Sequence, residues 1–150
     1  MLTFSPKEQS LLQDLVSQEQ LCIEKYGKYA ADAKDGGLSN LFGAIRQVEQ
    51  GHLDTLNRML GGTLPGTGGG GTKPSAPTQP ASYSAADRQS DQFLCRDALS
   101  MEKYVSGAYN TSIFEFQDAG VRDTLNHIQK EEQEHGEELW RFLSVNNMYQ

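Results

Sequence analysis

Cysteine is almost absent: Cys22 and Cys95 stand alone among 150 residues, with no C-x-x-C pair. Two isolated thiols build neither a disulfide framework nor a thiolate metal site, so a reducing compartment is the default. Positive charge is also short, with 13 Lys and Arg against 20 Asp and Glu and a net charge of −7. An acidic surface without a basic run repels phosphate backbones and anionic lipid headgroups, so neither nucleic acid nor a membrane is an expected partner. Long apolar runs are missing too, and nothing approaches the roughly 20 residues of a membrane helix. The opening residues Met1 to Gln9 lack a basic stretch followed by an apolar one and a small-residue cleavage site. No secretory signal is therefore expected, and synthesis is expected to be cytoplasmic.

Proline is nearly confined to one tract. Residues Gly61 to Ser84 read GGTLPGTGGGGTKPSAPTQPASYS, a composition that neither packs a core nor sustains a helix or a central strand. This tract reads as a linker, and with no candidate ligand in it the run Gly68 to Gly71 is expected to be dispensable. Hydrophobic residues at 37% and charged residues at 22% leave enough apolar side chains for one core, so residues 1–150 read as a single domain.

Both flanks of the linker carry helical spacing. Ser5-Pro6-Lys7-Glu8 is a helix start with a capping box. Leu11, Leu12, Leu15, Val16, Glu19, Cys22, Ile23 and Tyr26 then form a stripe that predicts a helix to about Lys34, ended by Asp35-Gly36-Gly37. A second stripe runs from Leu38 through Leu41, Phe42, Ile45, Val48, Glu49, His52, Leu53 and Leu56 to Leu60. In the other flank, Phe93, Leu94, Ala98, Leu99, Glu102, Val105 and Tyr109 predict a helix to about Gln117. After Asp118-Ala119-Gly120, the residues Val121, Leu125, Ile128, Glu132, His135, Leu139 and Leu143 predict a fourth helix ending near Asn146. The expected fold is all-α: a hairpin at about 5–60, the linker at 61–84, and a second hairpin at about 85–146.

The hairpins superpose in sequence at one constant shift of 83 residues. Glu19 maps to Glu102, Tyr26 to Tyr109, Asp35 to Asp118, Gly37 to Gly120, Glu49 to Glu132 and His52 to His135. Duplication of one hairpin is the simplest account. Helices of this size are about 38 Å long, and the linker reaches about 80 Å when extended. It is therefore long enough to run the length of a bundle and leave the second and third helices parallel, a four-helix arrangement with one long crossover.

Polar residues on apolar stripes carry the chemistry. Glu49 and His52, like Glu132 and His135, sit at i and i+3, so each pair leaves one helix face and can grip one ion. Glu19 and Glu102 lie on the partner helix of each hairpin. One Glu from each of two helices plus Glu-x-x-His from each of the other two is the donor set of di-iron and di-manganese bundles. Four converging carboxylates are costly in a core, and two divalent cations cancel their charge. Carboxylate and imidazole donors without thiolate suit iron or manganese, with zinc compatible as well. Glu49 and Glu132 are then expected to bridge, with Glu19, His52, Glu102 and His135 terminal.

The competing reading is a solvated acidic face. Eleven Glu residues give any His about a 7% chance of a Glu three positions earlier, so two of three His doing so by accident is roughly 1–2%. The matched Glu19 and Glu102 lower it further. Tyr26 and Tyr109, seven residues beyond Glu19 and Glu102, fit either hydrogen-bond donors to the ligating carboxylates or plain core tyrosines. Cys22, matched by Val105, reads as a small core residue. His127 is expected to pair with Glu131 on the surface, and the run of Glu131, Glu134, Glu137 and Glu138 to be mostly solvated. Trp140 and Phe142 read as core or interface residues.

The stretch Glu131-Glu132-Gln133-Glu134-His135-Gly136-Glu137-Glu138-Leu139 is similar to the last-helix motif of rubrerythrins. More closely, residues 91–150 resemble the coat F domain of endospore-forming bacteria. The resemblance is carried by Asp91, Met101-Glu102-Lys103-Tyr104-Val105, Tyr109-Asn110-Thr111-Ser112, Val121-Arg122-Asp123-Thr124-Leu125, Glu131 to His135 and Met148-Tyr149-Gln150. It implies a ferritin-like bundle, expression linked to sporulation, deposition in the spore coat, and partners among other coat proteins or a second copy of the chain. The lack of paired C-x-x-C motifs excludes rubrerythrin-type electron transfer within one chain, and the Gly-rich linker argues against a ferritin cage subunit. Three functions follow as expectations. The first is a structural or protective coat protein with a dinuclear metal centre. The second is an oxidase or peroxidase acting on O2 or peroxide, and the third is a metal carrier without turnover. No catalytic residue is assigned.

Overall fold

The computed structural model describes residues 1–66 and 71–149. Its regular elements are four helices, α1 Pro6–Asp32, α2 Gly36–Leu60, α3 Ala85–Ile113 and α4 Ala119–Val145. The capping box forms as the sequence indicates, with Ser5 Oγ accepting from Glu8 N at 3.1 Å and Ser5 N donating to Glu8 Oε1 at 2.9 Å.

Two boundaries differ from the expectation. α1 stops at Asp32 with Ala33 as its cap, and Asp35 belongs to the next helix, whose Leu38 N–H it caps at 2.9 Å. Gly36 and Gly37 therefore open α2 rather than end α1. Asp118 caps Val121 in the same way at 3.0 Å. α3 stops at Ile113, before the expected Gln117, because the chain turns to bury Phe116 edge-on against Phe4. Arg122 holds that turn by donating to the carbonyls of Phe116 and Gln117, each at 2.8 Å.

The hairpins α1–α2 and α3–α4 meet along α1–α3 and α2–α4. Asp91, near the start of α3, accepts from Lys34 N and Asp35 N at the end of the first hairpin's rising helix. Glu8, near the start of α1, accepts from Gln117 N at 3.2 Å. The two contacts are related by the same 83-residue shift, since Glu8 maps to Asp91 and Lys34 to Gln117. They make α1 and α3 antiparallel, so α2 and α3 run in the same direction and the linker must travel the length of the bundle.

The linker does so without regular structure among the described residues, but it packs, which the composition did not suggest. Pro65 and Ala76 are buried against the helices. Lys73 pairs with Glu134 at 3.0 Å, Ala76 N donates to Glu138 Oε1 at 2.9 Å, and Ala81 N donates to Asn146 Oδ1 at 2.8 Å. The chain thus follows α4 toward its C-terminal end. Its approach explains two glycines: a Cβ at Gly37 would lie 2.5 Å from Pro77 Cγ, and one at Gly120 would lie 2.5 Å from Leu64 Cδ2. Residues 68–70 of the run expected to be dispensable lie outside the described residues.

Leu12, Leu15, Phe42, Ile45, Leu56, Leu125, Leu139 and Phe142 form the apolar core, each buried side chain contributing about 1.5–3 kcal/mol. Phe93 departs from its expected place on the stripe of α3 and is 68% exposed. Trp140 is likewise outside the core, half-exposed and edge-on to Tyr149.

Candidate metal centre

Halfway along the bundle the apolar layers are interrupted by six charged side chains. α1 supplies Glu19, α2 Glu49 and His52, α3 Glu102, and α4 Glu132 and His135, and none is more than 4% exposed. The helical i, i+3 spacing aims each Glu and His pair inward together. The antiparallel α1–α3 and α2–α4 seams then bring the two hairpins' sets to one level.

The donor atoms form two groups, one of Glu19, Glu49, His52 and Glu132, the other of Glu49, Glu102, Glu132 and His135. Within each group one donor atom from every residue lies within 4.8 Å of the others, and Glu49 and Glu132 belong to both. His52 Nδ1 is 2.9 Å from Glu132, 3.4 Å from Glu49 and 3.8 Å from Glu19. His135 Nδ1 is 2.9 Å from Glu49, 3.4 Å from Glu102 and 3.8 Å from Glu132. The two imidazoles face each other at 6.1 Å between centroids.

These atoms converge without bonding one another. Eight buried atoms have no hydrogen-bond partner among the described residues: Glu19 Oε2, both oxygens of Glu49, His52 Nδ1, Glu102 Oε2, both oxygens of Glu132, and His135 Nδ1. All eight lie on the six residues. At about 1–3 kcal/mol each, such atoms would offset the whole 5–15 kcal/mol stability of a typical domain. Donors about 2.1 Å from a shared cation and at right angles to each other are about 3 Å apart, close to the shortest distances here. The residues present therefore fit a pair of divalent cations.

Protons are the other way to compensate the charge. Burial, and then the carboxylate of Glu49, pushes Glu19 well above the ordinary carboxylate range. Burial, and then Glu102, does the same to Glu132. Burial opposes charge on His52, but the hydrogen bond with Glu131 and the nearby carboxylate of Glu49 outweigh it and raise the imidazole to about 10. His135 is raised likewise, with burial outweighed by Glu102, Glu132 and Glu49. Glu49 is held low because the close approach of Glu19, His135 and His52 outweighs its burial. Without metal, these shifts all favour protons on Glu19, Glu132 and the two imidazoles, which lessen the charge a cation would otherwise offset.

Tyr26 and Tyr109 meet the carboxylates. Tyr26 donates to Glu102 Oε1 at 2.7 Å and Tyr109 to Glu19 Oε1 at 2.6 Å, each across the seam to the other hairpin. Cys22 is a buried core thiol, pushed up by its burial and by the charges of Glu49, Glu19 and Glu102.

Two glutamates of the α4 run depart from the solvated face expected of it. His127 does lie 3.3 Å from Glu131, but Glu131 also reaches His52 Nε2 at 3.0 Å. Spacing marks Glu131 as a partner of His127 but not of His52, since its counterpart under the repeat is Val48 and no fixed spacing relates it to His52. Glu138 is mostly buried beneath the linker, where it also pairs with Arg141 at 3.1 Å. On the opposite side of the molecule a groove of about 420 Å³ opens between α1 and α3, with Cys22 and Met101 among its lining residues. No helix is long and apolar enough to cross a membrane among the described residues.

Residues 90–150 match the Coat F domain, a span that carries Glu102, Glu132 and His135. No curated protein and no solved structure matches the chain.

Proposed function

From the Coat F match as premise, we propose that this chain is a spore-coat-associated protein built as a ferritin-like bundle around a dinuclear metal centre. The observation that carries the reading is the set of eight unpartnered buried donor atoms, all on six residues and divided into two groups that share Glu49 and Glu132. In it Glu19 and His52 hold one divalent ion, Glu102 and His135 the other, and Glu49 and Glu132 serve both. Iron or manganese suits this carboxylate and imidazole set best, with zinc compatible. Bound there, two such cations supply the positive charge that four buried carboxylates require. The chain's own contribution is to hold those carboxylates at fixed positions, with Tyr26 and Tyr109 orienting Glu102 and Glu19. The 83-residue repeat and the long crossover support the ferritin-like assignment.

The test is metal content. Protein from iron- or manganese-supplemented cells is expected to approach two ions per chain by elemental analysis. Changing both His52 and His135 to Ala should remove most of it while the helices persist. Well-folded wild-type protein that takes up neither metal under anaerobic conditions would reduce the six residues to a polar core.

A second reading, an oxidase or peroxidase acting on O2 or peroxide, is favoured by the groove between α1 and α3. Cys22 and Met101, in its lining, are three residues from Glu19 and adjacent to Glu102 respectively, so the groove marks the side from which a small oxidant would approach. Turnover of peroxide by the loaded protein distinguishes this from a structural or carrier role, for which full loading without turnover is expected.

A further inference from the structure

We infer that the two halves of the centre are unequal and that Glu131, as a positioning residue, makes the His52 half the tighter metal position. The inference rests on the dinuclear reading above and deepens it. The six candidate ligands and both tyrosines repeat at the 83-residue shift, but Glu131 does not: its counterpart is Val48, and that of His127 is Ala44. His52 is consequently engaged on both sides of its ring. Nδ1 faces the donor cluster, and Nε2 lies 3.0 Å from Glu131 Oε1. His127 Nε2, 3.3 Å from the same oxygen, steadies Glu131 from the surface side. His135 meets carboxylates only through Nδ1 among the described residues.

The physical consequence is directional. A carboxylate that accepts from Nε2–H selects the neutral tautomer with its lone pair on Nδ1, fixes the plane of the ring and strengthens it as a donor. A valine side chain has no acceptor to do this. Glu131 also places an additional negative charge beside the His52 half, which attracts a cation there more than at the other. Both effects favour the same position, so the first ion occupies the Glu19 and His52 side and the second the Glu102 and His135 side.

The experiment titrates the full-length protein, freed of metal by a chelator, with manganese(II) while free manganese is read by electron paramagnetic resonance. Two classes of site are expected, about 10–100-fold apart in affinity. H52A should abolish the tighter class and H135A the weaker. E131A should weaken the tighter class roughly tenfold and leave the weaker one within about twofold. E131Q, whose amide oxygen still accepts from Nε2–H, should restore most of the loss, and V48E should tighten the weaker class. Melting curves of each metal-free variant establish that it is folded. Two equal classes in the wild type, or an E131A variant that weakens both alike, overturn the inequality and leave the dinuclear reading standing. A folded wild type that binds no manganese overturns both.

Discussion

The hydroxyl of Tyr109 lies 2.6 Å from Glu19 Oε1, so a tyrosine of α3 holds a carboxylate of α1. Tyr26 returns the contact from α1 to Glu102 of α3 at 2.7 Å. Each hairpin thereby positions a buried carboxylate of the other, and neither half of the candidate centre is complete without both. Tyr26→Phe and Tyr109→Phe should each cost about 1–2 kcal/mol in urea unfolding, because each leaves a buried carboxyl oxygen without its donor. Each should also lower manganese affinity about tenfold by freeing one carboxylate. If either variant binds metal as the wild type does, the tyrosines are packing residues only.

Asp91 ties the start of α3 to the first hairpin's turn by accepting from Lys34 N, Asp35 N and Tyr83 Oη, at 2.8, 2.9 and 2.6 Å. Asp91→Asn replaces one acceptor oxygen with a donor facing other donors. It should cost about 2–3 kcal/mol by urea unfolding, leaving the number of metals bound unchanged. Glu8 plays the matching part with one such contact to Gln117, and Glu8→Gln should cost about 1 kcal/mol. Its carboxyl is held below the ordinary range, first by the Ser5 N–H. The contribution of Glu8 is thus present above pH 4.5 and lost as the pH falls through that lowered value, so E8Q and wild type should converge in acid.

Gly37 and Gly120 are equivalent under the repeat but are approached by different parts of the linker. A methyl at Gly37 would meet the rigid ring of Pro77, whereas one at Gly120 would meet the rotatable end of Leu64. Gly37→Ala should therefore cost about 1–3 kcal/mol, and Gly120→Ala less, as read from melting temperatures. Equal losses would show that the linker yields as easily at both ends.

The charge state of the metal-free centre sets a pH dependence of known sign. Glu19, Glu132, His52 and His135 all hold protons more tightly in the folded chain than in the unfolded one. For His52 the resulting stability is complete below pH 6.5 and is lost as the pH rises through about 10. The chelated protein should therefore melt at progressively lower temperature across that window. Ligation needs these protons gone, so manganese should bind more tightly as the pH rises and release protons measurable by calorimetry in two buffers of different ionisation heat. An affinity that does not change with pH would contradict this assignment of protons.

How much of this was legible beforehand depends on how local the cause is. The capping box at Ser5, the helical stripes and the six inward polar residues follow from neighbours three and four apart, and the 83-residue repeat doubles each signal. The ends of α1 and α3 were misplaced because Asp35 serves as a cap for the following helix and because Phe116 gains more from burial than α3 gains from another turn. Spacing put Tyr26 on the face of Glu19, but seven residues are about 10 Å along a helix, beyond hydrogen-bond reach. Only the antiparallel crossing of α1 and α3 sets Tyr26 level with Glu102.

The same division separates Glu132 from Glu131. Glu132 was readable because its partner His135 is on its own helix and its equivalent Glu49 is in the repeat. Glu131 acts on His52, 79 residues away on another helix, and has no equivalent. Local periodicity and duplication thus determine which side chains enter the core. Which of them touch, and which half of the centre gains an additional carboxylate, is decided only when the two hairpins pack, because those contacts join residues that no fixed spacing along the chain relates.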